Sequence, residues 1–271
     1  MKKTITVIMS VYNEKEFYLK EAVKSILNQS FSDFEFIIID DGSDDNNCLR
    51  TLKEFVEKDE RIKFIRNDTN IGLTKSLNKA LALAGGTYIA RIDSDDIADP
   101  HRLEKQLQFM EANPSYALCG SWAYFIDQDG KITGEKRSPT DYERIKKRFI
   151  FFNFFTHSSL FFRKDIAMGL DGYNENLKKA QDYDFILKIS AKYPVAVLPE
   201  FLCSNRLHKE SISSSSKKRQ EWYALIARWN AIWDYGYPKT DFFKTIPSVF
   251  YFLFVPYFAE KQIFKILYKN K

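Results

Sequence analysis

Cysteine is scarce in this chain: its three copies, Cys48, Cys119 and Cys203, lie far apart and form no Cys-x-x-Cys pair. That spacing excludes a zinc ribbon or a disulfide-stapled scaffold and favours a reducing compartment. Long apolar runs are also lacking. The uncharged stretch 245–259 is shorter than the roughly 20 residues that cross a bilayer, so a polytopic membrane protein is excluded. No leader is visible, because Met1-Lys2-Lys3-Thr4-Ile5 runs straight into a β-like segment without an apolar stretch or a small-residue cleavage site. A cytoplasmic protein is expected. Glycine is missing from the first strand–helix turn, Ser10-Val11-Tyr12-Asn13-Glu14, so that turn is not a Gly-rich phosphate loop.

The composition itself is that of a folded protein. Hydrophobic residues at 45% and charged residues at 28% exclude disorder throughout, and 271 residues suit one large domain with or without an appendage. The formal charge of +5 is unevenly placed. Residues 209–271 hold eleven Lys and Arg against five Asp and Glu, a net of +6, while residues 1–208 net −1. The same last 63 residues hold 16 of the 43 aromatics. A boundary is therefore expected near 209. Residues 209–216, with four consecutive serines from Ser213, read as a flexible loop, and residues 217–271 as a helical segment.

The first hundred residues alternate between two hydrophobic periods. Strands are expected at 5–11, 34–40, 62–66 and 88–93, with helices between them marked by Leu19/Val23/Ile26, Leu49/Leu52/Val56 and Leu73/Leu77/Leu81. Such alternation builds an α/β fold with a mostly parallel central sheet and helices on both faces. Beyond residue 115 the pattern is mixed. Strands are expected at 117–126, 159–162, 195–198 and 202–207, helices at 142–152 and 183–193, and a hairpin turn at Asp129-Gly130.

Ligands of open α/β sheets sit at the carboxyl ends of the strands. Three such ends are polar here: Tyr12-Asn13-Glu14, Asp40-Asp41-Gly42-Ser43-Asp44-Asp45 and Asp93-Ser94-Asp95-Asp96. A lone Asp-x-Asp is common by chance and often only turns or caps. Placed in the third of three converging acidic ends, it points to a hard divalent cation held on carboxylate oxygens, Mn²⁺ or Mg²⁺.

With these motifs in order, the chain resembles the family 2 glycosyltransferases of GT-A (Rossmann-like) fold over roughly residues 4–208. The resemblance rests on Val11-Tyr12-Asn13-Glu14, Ile39-Asp40-Asp41-Gly42-Ser43, Asn70-Ile71-Gly72-Leu73 and Ala90-Arg91-Ile92-Asp93-Ser94-Asp95-Asp96. Pro100 and Arg102, Gly172-Tyr173, Gln181-Asp182 and Arg206-Leu207-His208 complete it. It implies a nucleotide-binding half (1–115) and an acceptor half (116–208). Val11, Tyr12, Glu14, Asp40, Arg91 and Asp93 would bind the nucleotide sugar, with Tyr12 stacking on the base. Asp95, Asp93 and His208 would serve the metal, and Asp182 would be the catalytic base. Each residue also has a plainer role: Tyr12 packing, Asp40 turning, Asp96 and Asp182 capping helices, Arg91 in a salt bridge, His157 packing in the interior and His101 facing solvent. Arg206 is a weaker phosphate candidate. Gln181 stands where the family usually carries an acid, so like-charge repulsion on Asp182 is weaker. The Gln-x-x-Arg-Trp motif of processive relatives is absent, which implies one sugar added per encounter.

The expected activity is metal-dependent, inverting transfer from a nucleotide-diphosphate sugar, UDP-linked by default. The acceptor would be a glycan or lipid-linked hydroxyl in bacterial surface-polysaccharide or lipopolysaccharide assembly. A non-catalytic nucleotide-binding subunit and, less well matched, a sugar nucleotidyltransferase are the alternatives. Residues 242–258 contain eight aromatics, two prolines and one charge, and lysines follow them. Residues 242–271 therefore suit peripheral contact with the cytoplasmic face of the inner membrane, or packing on this chain or a twin subunit, and not a nucleic-acid groove.

Overall fold

The structure is a computed structural model and describes residues 3–207, 217–243, 245–246 and 249. His208, the serine-rich stretch and most of 242–271 lie outside the described residues.

The alternation of periods folds as expected. β1 (Ile5–Val11), β2 (Phe34–Asp40), β3 (Ile62–Arg66) and β4 (Tyr88–Arg91) pair in parallel, in the order β3-β2-β1-β4. α1 (Glu16–Leu27), α2 (Asn46–Val56) and α3 (Leu73–Leu83) connect them. Side chains alternate across each strand, so β1 sends Ile5, Val7, Met9 and Val11 into one apolar layer with Leu19, Leu52 and Leu103, and Ile8 into the other with Leu77 and Leu81. Both faces are thus covered, which a parallel sheet requires.

The second half is mixed. β5 (Ile97–Ala98) and α4 (Arg102–Ala112) follow β4, then β6 (Leu118–Ile126), β7 (Ile132–Lys136) and α5 (Tyr142–Arg148). A single 3-10 turn, His157–Ser159, leads into β8 (Phe161–Arg163) and α6 (Lys164–Gly169). α7 (Gln181–Ser190), β9 (Val195–Arg206) and α8 (Lys217–Trp233) complete the described elements. The sheet continues β4-β8-β6-β9-β5, with β7 on β6 and β8 antiparallel to both its neighbours. Several expectations change. The strand expected over 88–93 ends at Arg91, and the helix expected over 183–193 spans Gln181–Ser190. The two closing strands are one strand, bent where its register against β6 shifts. The helix expected over 142–152 stops at Arg148, because the apolar run behind it turns inward: Phe149, Ile150 and Phe155 are buried. The strand expected over 159–162 starts at Phe161, because Ser159 is occupied in the 3-10 turn.

α8 is not set apart from the rest. Ala227, Ala231 and Ile232 join the core beneath α7, and Asn230 Nδ2 donates to the buried Asp184 Oδ1 at 3.0 Å. Among the described residues no helix is long and apolar enough to cross a membrane.

Candidate functional site

The ends of β1, β2 and β4 are laced together. Asn13, held at φ 49°, takes its place by donating its N–H to Ser43 Oγ at 2.9 Å, and its Oδ1 accepts the Asp44 N–H at 2.9 Å. Ser94 Oγ donates to Glu14 Oε2 at 2.9 Å. Val11 is buried, and only its carbonyl serves the loop, accepting from Asp41 N at 2.7 Å. Tyr12 is half-exposed at the rim. Asp40 is fully buried: its Oδ1 accepts the Ser43 N–H at 3.1 Å, and Arg66 Nε stands 3.2 Å from Oδ2. Oδ2 has no hydrogen-bond partner. Arg66 offsets its charge, and the lone pair left without a hydrogen bond at this strand end suits a donor from a ligand.

Asp41 has a different task. Its carboxylate accepts from Ile71 N (3.0 Å), Gly72 N (2.8 Å), Asn67 Nδ2 (2.8 Å) and Ser76 Oγ (2.9 Å), so it anchors the loop ahead of α3. Gly42 permits this approach. Its φ is +76°, and a Cβ there would sit 2.5 Å from the carbonyl carbon of Thr69.

At the end of β4, Arg91 turns inward. Its guanidinium, fully buried, grips Asp93 with both terminal nitrogens, one of them at 2.6 Å. Arg91 thus positions Asp93 from below and does not stand at the surface. Ser158, from the turn before β8, reaches the same place: its Oγ accepts Asp93 N–H at 3.0 Å and lies 2.5 Å from Asp96 Oδ2 and 3.0 Å from Asp93 Oδ2, which share its one proton. Asp96 is not a helix cap. It is buried and accepts from Asn205 Nδ2 (2.6 Å) and Arg206 N (2.8 Å), tying β9 to the site. Arg206 is likewise internal. It donates to the carbonyls of Asp95, Asp127 and Gln128 and pairs with Glu21 at 2.7 Å, leaving none of its nitrogens for phosphate. Arg102, also buried, donates to the Arg91 carbonyl at 2.8 Å and holds the β4 end in place.

Asp93, Asp95 and Asp96 each bring a carboxylate oxygen within 4.8 Å of the others. Burial, then the negative charges of Asp93 and Glu14, push the Asp95 carboxyl up to about 7. Such crowded negative charge on an all-oxygen donor set fits a hard divalent cation, Mn²⁺ or Mg²⁺.

Asp182 enters from the acceptor half. The residue at the N-cap of α7 is Ala180, in left-handed conformation at φ 55°, so Asp182 is the second helical residue and does not cap. Asn153 Nδ2 donates to its Oδ2 at 3.0 Å. Burial raises the Asp182 carboxyl above the ordinary aspartate range, opposed by the Tyr183 N–H and by the charges of Arg91 and Lys136. Lys136 donates to the Phe155 carbonyl at 2.6 Å, and burial lowers its ammonium to about 8. Gln181 is buried with Oε1 unpartnered. His157 Nε2 lies 3.2 Å from the Tyr173 hydroxyl, and burial plus the Arg91 charge hold its ring well below the usual histidine value, hence neutral. His101 is exposed beside Glu104. Asn153, Lys136 and Ser158 were not singled out by sequence; a polar residue inside an aromatic run, Phe151-Phe152-Asn153-Phe154-Phe155, was the one available signal.

The glycosyl transferase family 2 model matches residues 6–170. The chain belongs to this family and is a glycosyltransferase. It is 40% identical over 233 residues to an uncharacterized glycosyltransferase of Methanocaldococcus jannaschii, covering 84% of this chain and 80% of that one. It is 36% identical over 216 residues to the O-antigen biosynthesis glycosyltransferase WbnJ of Escherichia coli, covering 78% and 83%. Among solved structures, S. aureus TarS in complex with UDP-GlcNAc superposes with a TM-score of 0.73 at 19% identity, over 96% of this chain and 78% of that one. The mannosyltransferase PcManGT of Pyrobaculum calidifontis, in complex with GDP-Man and Mn²⁺, gives 0.69 at 16%, over 94% and 71%. These confirm the GT-A fold.

Proposed function

We propose that this glycosyltransferase moves one sugar, with inversion, from a nucleotide-diphosphate donor to a hydroxyl of a glycan or lipid-linked acceptor in surface-polysaccharide or O-antigen assembly. The observation that carries this reading is the acidic cluster beyond the end of β4, where Asp93, Asp95 and Asp96 bring carboxylate oxygens within 4.8 Å of one another. Arg91 grips Asp93, and its charge also acts on Asp182. The donor's diphosphate and the acceptor's hydroxyl would then meet between these groups.

In this reading Tyr12 stacks on the base, Asp40 Oδ2 accepts a base N–H, and Glu14 and Asp93 orient the ribose. Uridine is the preferred base, in keeping with the nucleotide bound by TarS. Asp182 takes the proton of the acceptor hydroxyl. The acceptor oxygen forms its bond to the anomeric carbon from the face opposite the diphosphate, and the anomeric carbon–oxygen bond breaks as the nucleoside diphosphate leaves. Asn153 keeps the second carboxylate oxygen occupied, so the proton arrives at Oδ1. Asp95, with Asp93 beside it and His208 as a further ligand, would hold Mn²⁺ or Mg²⁺, which when bound supplies Lewis-acid stabilisation of the departing charge.

The test is a panel of nucleotide sugars with and without Mn²⁺. Asp182→Asn should lose transfer by about 10²–10⁴-fold while nucleotide affinity, measured calorimetrically, is kept. Donor affinity unchanged by EDTA and by Asp95→Ala would reject the metal assignment. Full transfer by Asp182→Asn would reject the base.

A further inference from the structure

α8 is apolar on two sides. One side, with Ala227 and Ala231 fully buried, packs into the core. The other carries Trp222, Trp229 and Trp233, spaced seven and four residues apart, which a helix of 100° per residue gathers into one stripe. These rings are 49%, 54% and 48% exposed. Trp229 and Trp233 lie 5.5 Å apart between centroids with their planes tilted by 39°, and Trp229 meets Phe242 at 6.2 Å, beyond which Phe243 is 70% exposed. A groove of about 270 Å³ runs beside Trp222 and Trp229, walled on its other side by Phe242, Thr245 and Val249. Single exposed apolar residues need no partner, but a contiguous patch of this kind marks a contact surface.

The charge around the patch selects its occupant. Lys217, Lys218 and Arg219 open α8, and Lys239 Nζ lies 5.3 Å over the Trp233 ring. α5 ends in Lys146, Lys147 and Arg148, all exposed, and its following turn meets the flank of α8, about 120° around the helix from the tryptophan stripe, where the buried Arg228 donates to the Phe151 carbonyl at 3.1 Å. A second copy would bring the same positive charge to the contact. The chain's own residues 250–271 carry four lysines against one glutamate and would add to it. An anionic lipid surface is complementary on both counts, since tryptophans settle at headgroup depth and basic residues pair with the lipid charge. We propose that the Trp222–Trp229–Trp233 face of α8, extended by Phe242 and Phe243, docks this protein on an anionic bilayer. The inference is independent of the donor, the metal and the catalytic base.

Three of the four tryptophans lie on this face, and the fourth, Trp122, donates its indole N–H to the Ser138 carbonyl. Intrinsic fluorescence of the full chain therefore reads the face directly. With vesicles of 30% phosphatidylglycerol in phosphatidylcholine carrying brominated acyl chains, a blue shift and quenching of most of the emission are expected. Pure phosphatidylcholine should bind at least tenfold more weakly. Lys146→Gln with Lys147→Gln, two exposed changes that leave the core untouched, should weaken binding to the anionic vesicles about 25-fold, roughly fivefold for each charge. Emission unquenched by the anionic vesicles, equal quenching by the neutral ones, or a stable dimer in sedimentation whose tryptophans no vesicle reaches would each overturn the proposal.

Discussion

Asn153 Nδ2 donates to Asp182 Oδ2 at 3.0 Å across 29 residues of sequence, and Asn153 Oδ1 is itself pinned by the Phe155 N–H at 3.0 Å. The amide is thus oriented before it orients the carboxylate. Donation to the charged form lowers a carboxyl pKa, so its removal has a predictable sign. Asn153→Ala should lower kcat about tenfold and move the acid limb of the pH–rate profile to higher pH, with donor KM unchanged. Asn153→Gln, if it reaches Oδ2, should recover part of both. An unmoved acid limb would show that Asn153 only packs.

The raised Asp182 carboxyl also sets a stability trade-off. A folded-state pKa above the unfolded value near 3.9 means that the group favours folding when protonated. Its contribution is complete below the unfolded pKa and is lost as pH rises through the folded one. At pH 8 the charged, recessed carboxylate is a cost that Asp182→Asn removes. That variant should melt a few degrees higher than the parent at pH 8 by roughly the gain typical of relieved active-site strain, with the difference vanishing at pH 3.5–4. Differential scanning fluorimetry across pH measures both.

Asp93→Ala removes the partner of the buried Arg91 guanidinium. Breaking a fully buried pair costs about 3–5 kcal/mol; Asp93 is partly solvated, so about 2–3 kcal/mol is expected. Urea denaturation should show it. The double change Arg91→Met with Asp93→Asn should cost less than the two single changes added together, since no unpaired charge remains.

Gly42→Ala places a methyl group against the Thr69 backbone at a positive φ. Strain and displacement together should cost about 2–4 kcal/mol, lowering Tm by roughly 5–10 °C. Because Asp40 and Asp41 immediately precede this glycine, nucleotide affinity should fall as well, which calorimetry would detect.

The sites legible in sequence were those carried by neighbours in the chain. Asp40 ends β2, and Glu14, Asp93 and Asp95 follow within four residues of the ends of β1 and β4, strands whose period of two is plain in their own few residues, so this polar edge is legible. Arg91, Arg206 and Asp96 were placed correctly in the chain but given outward or capping tasks. Their burial depends on Ser158, Glu21 and Asn205, which lie 67 to 185 residues away.

By itself the sequence determined the β-α alternation of the first hundred residues, the polar strand ends and the uneven charge, all properties that a window of a dozen residues contains. Only the tertiary structure decided that β8 inserts antiparallel between β4 and β6, that one bent β9 replaces two strands, and that α8 turns three tryptophans outward. Strand partners and helix faces are chosen by which apolar surfaces can be buried together and which buried polar atoms can be satisfied at the same time. That selection acts across the whole chain, so no local pattern records it.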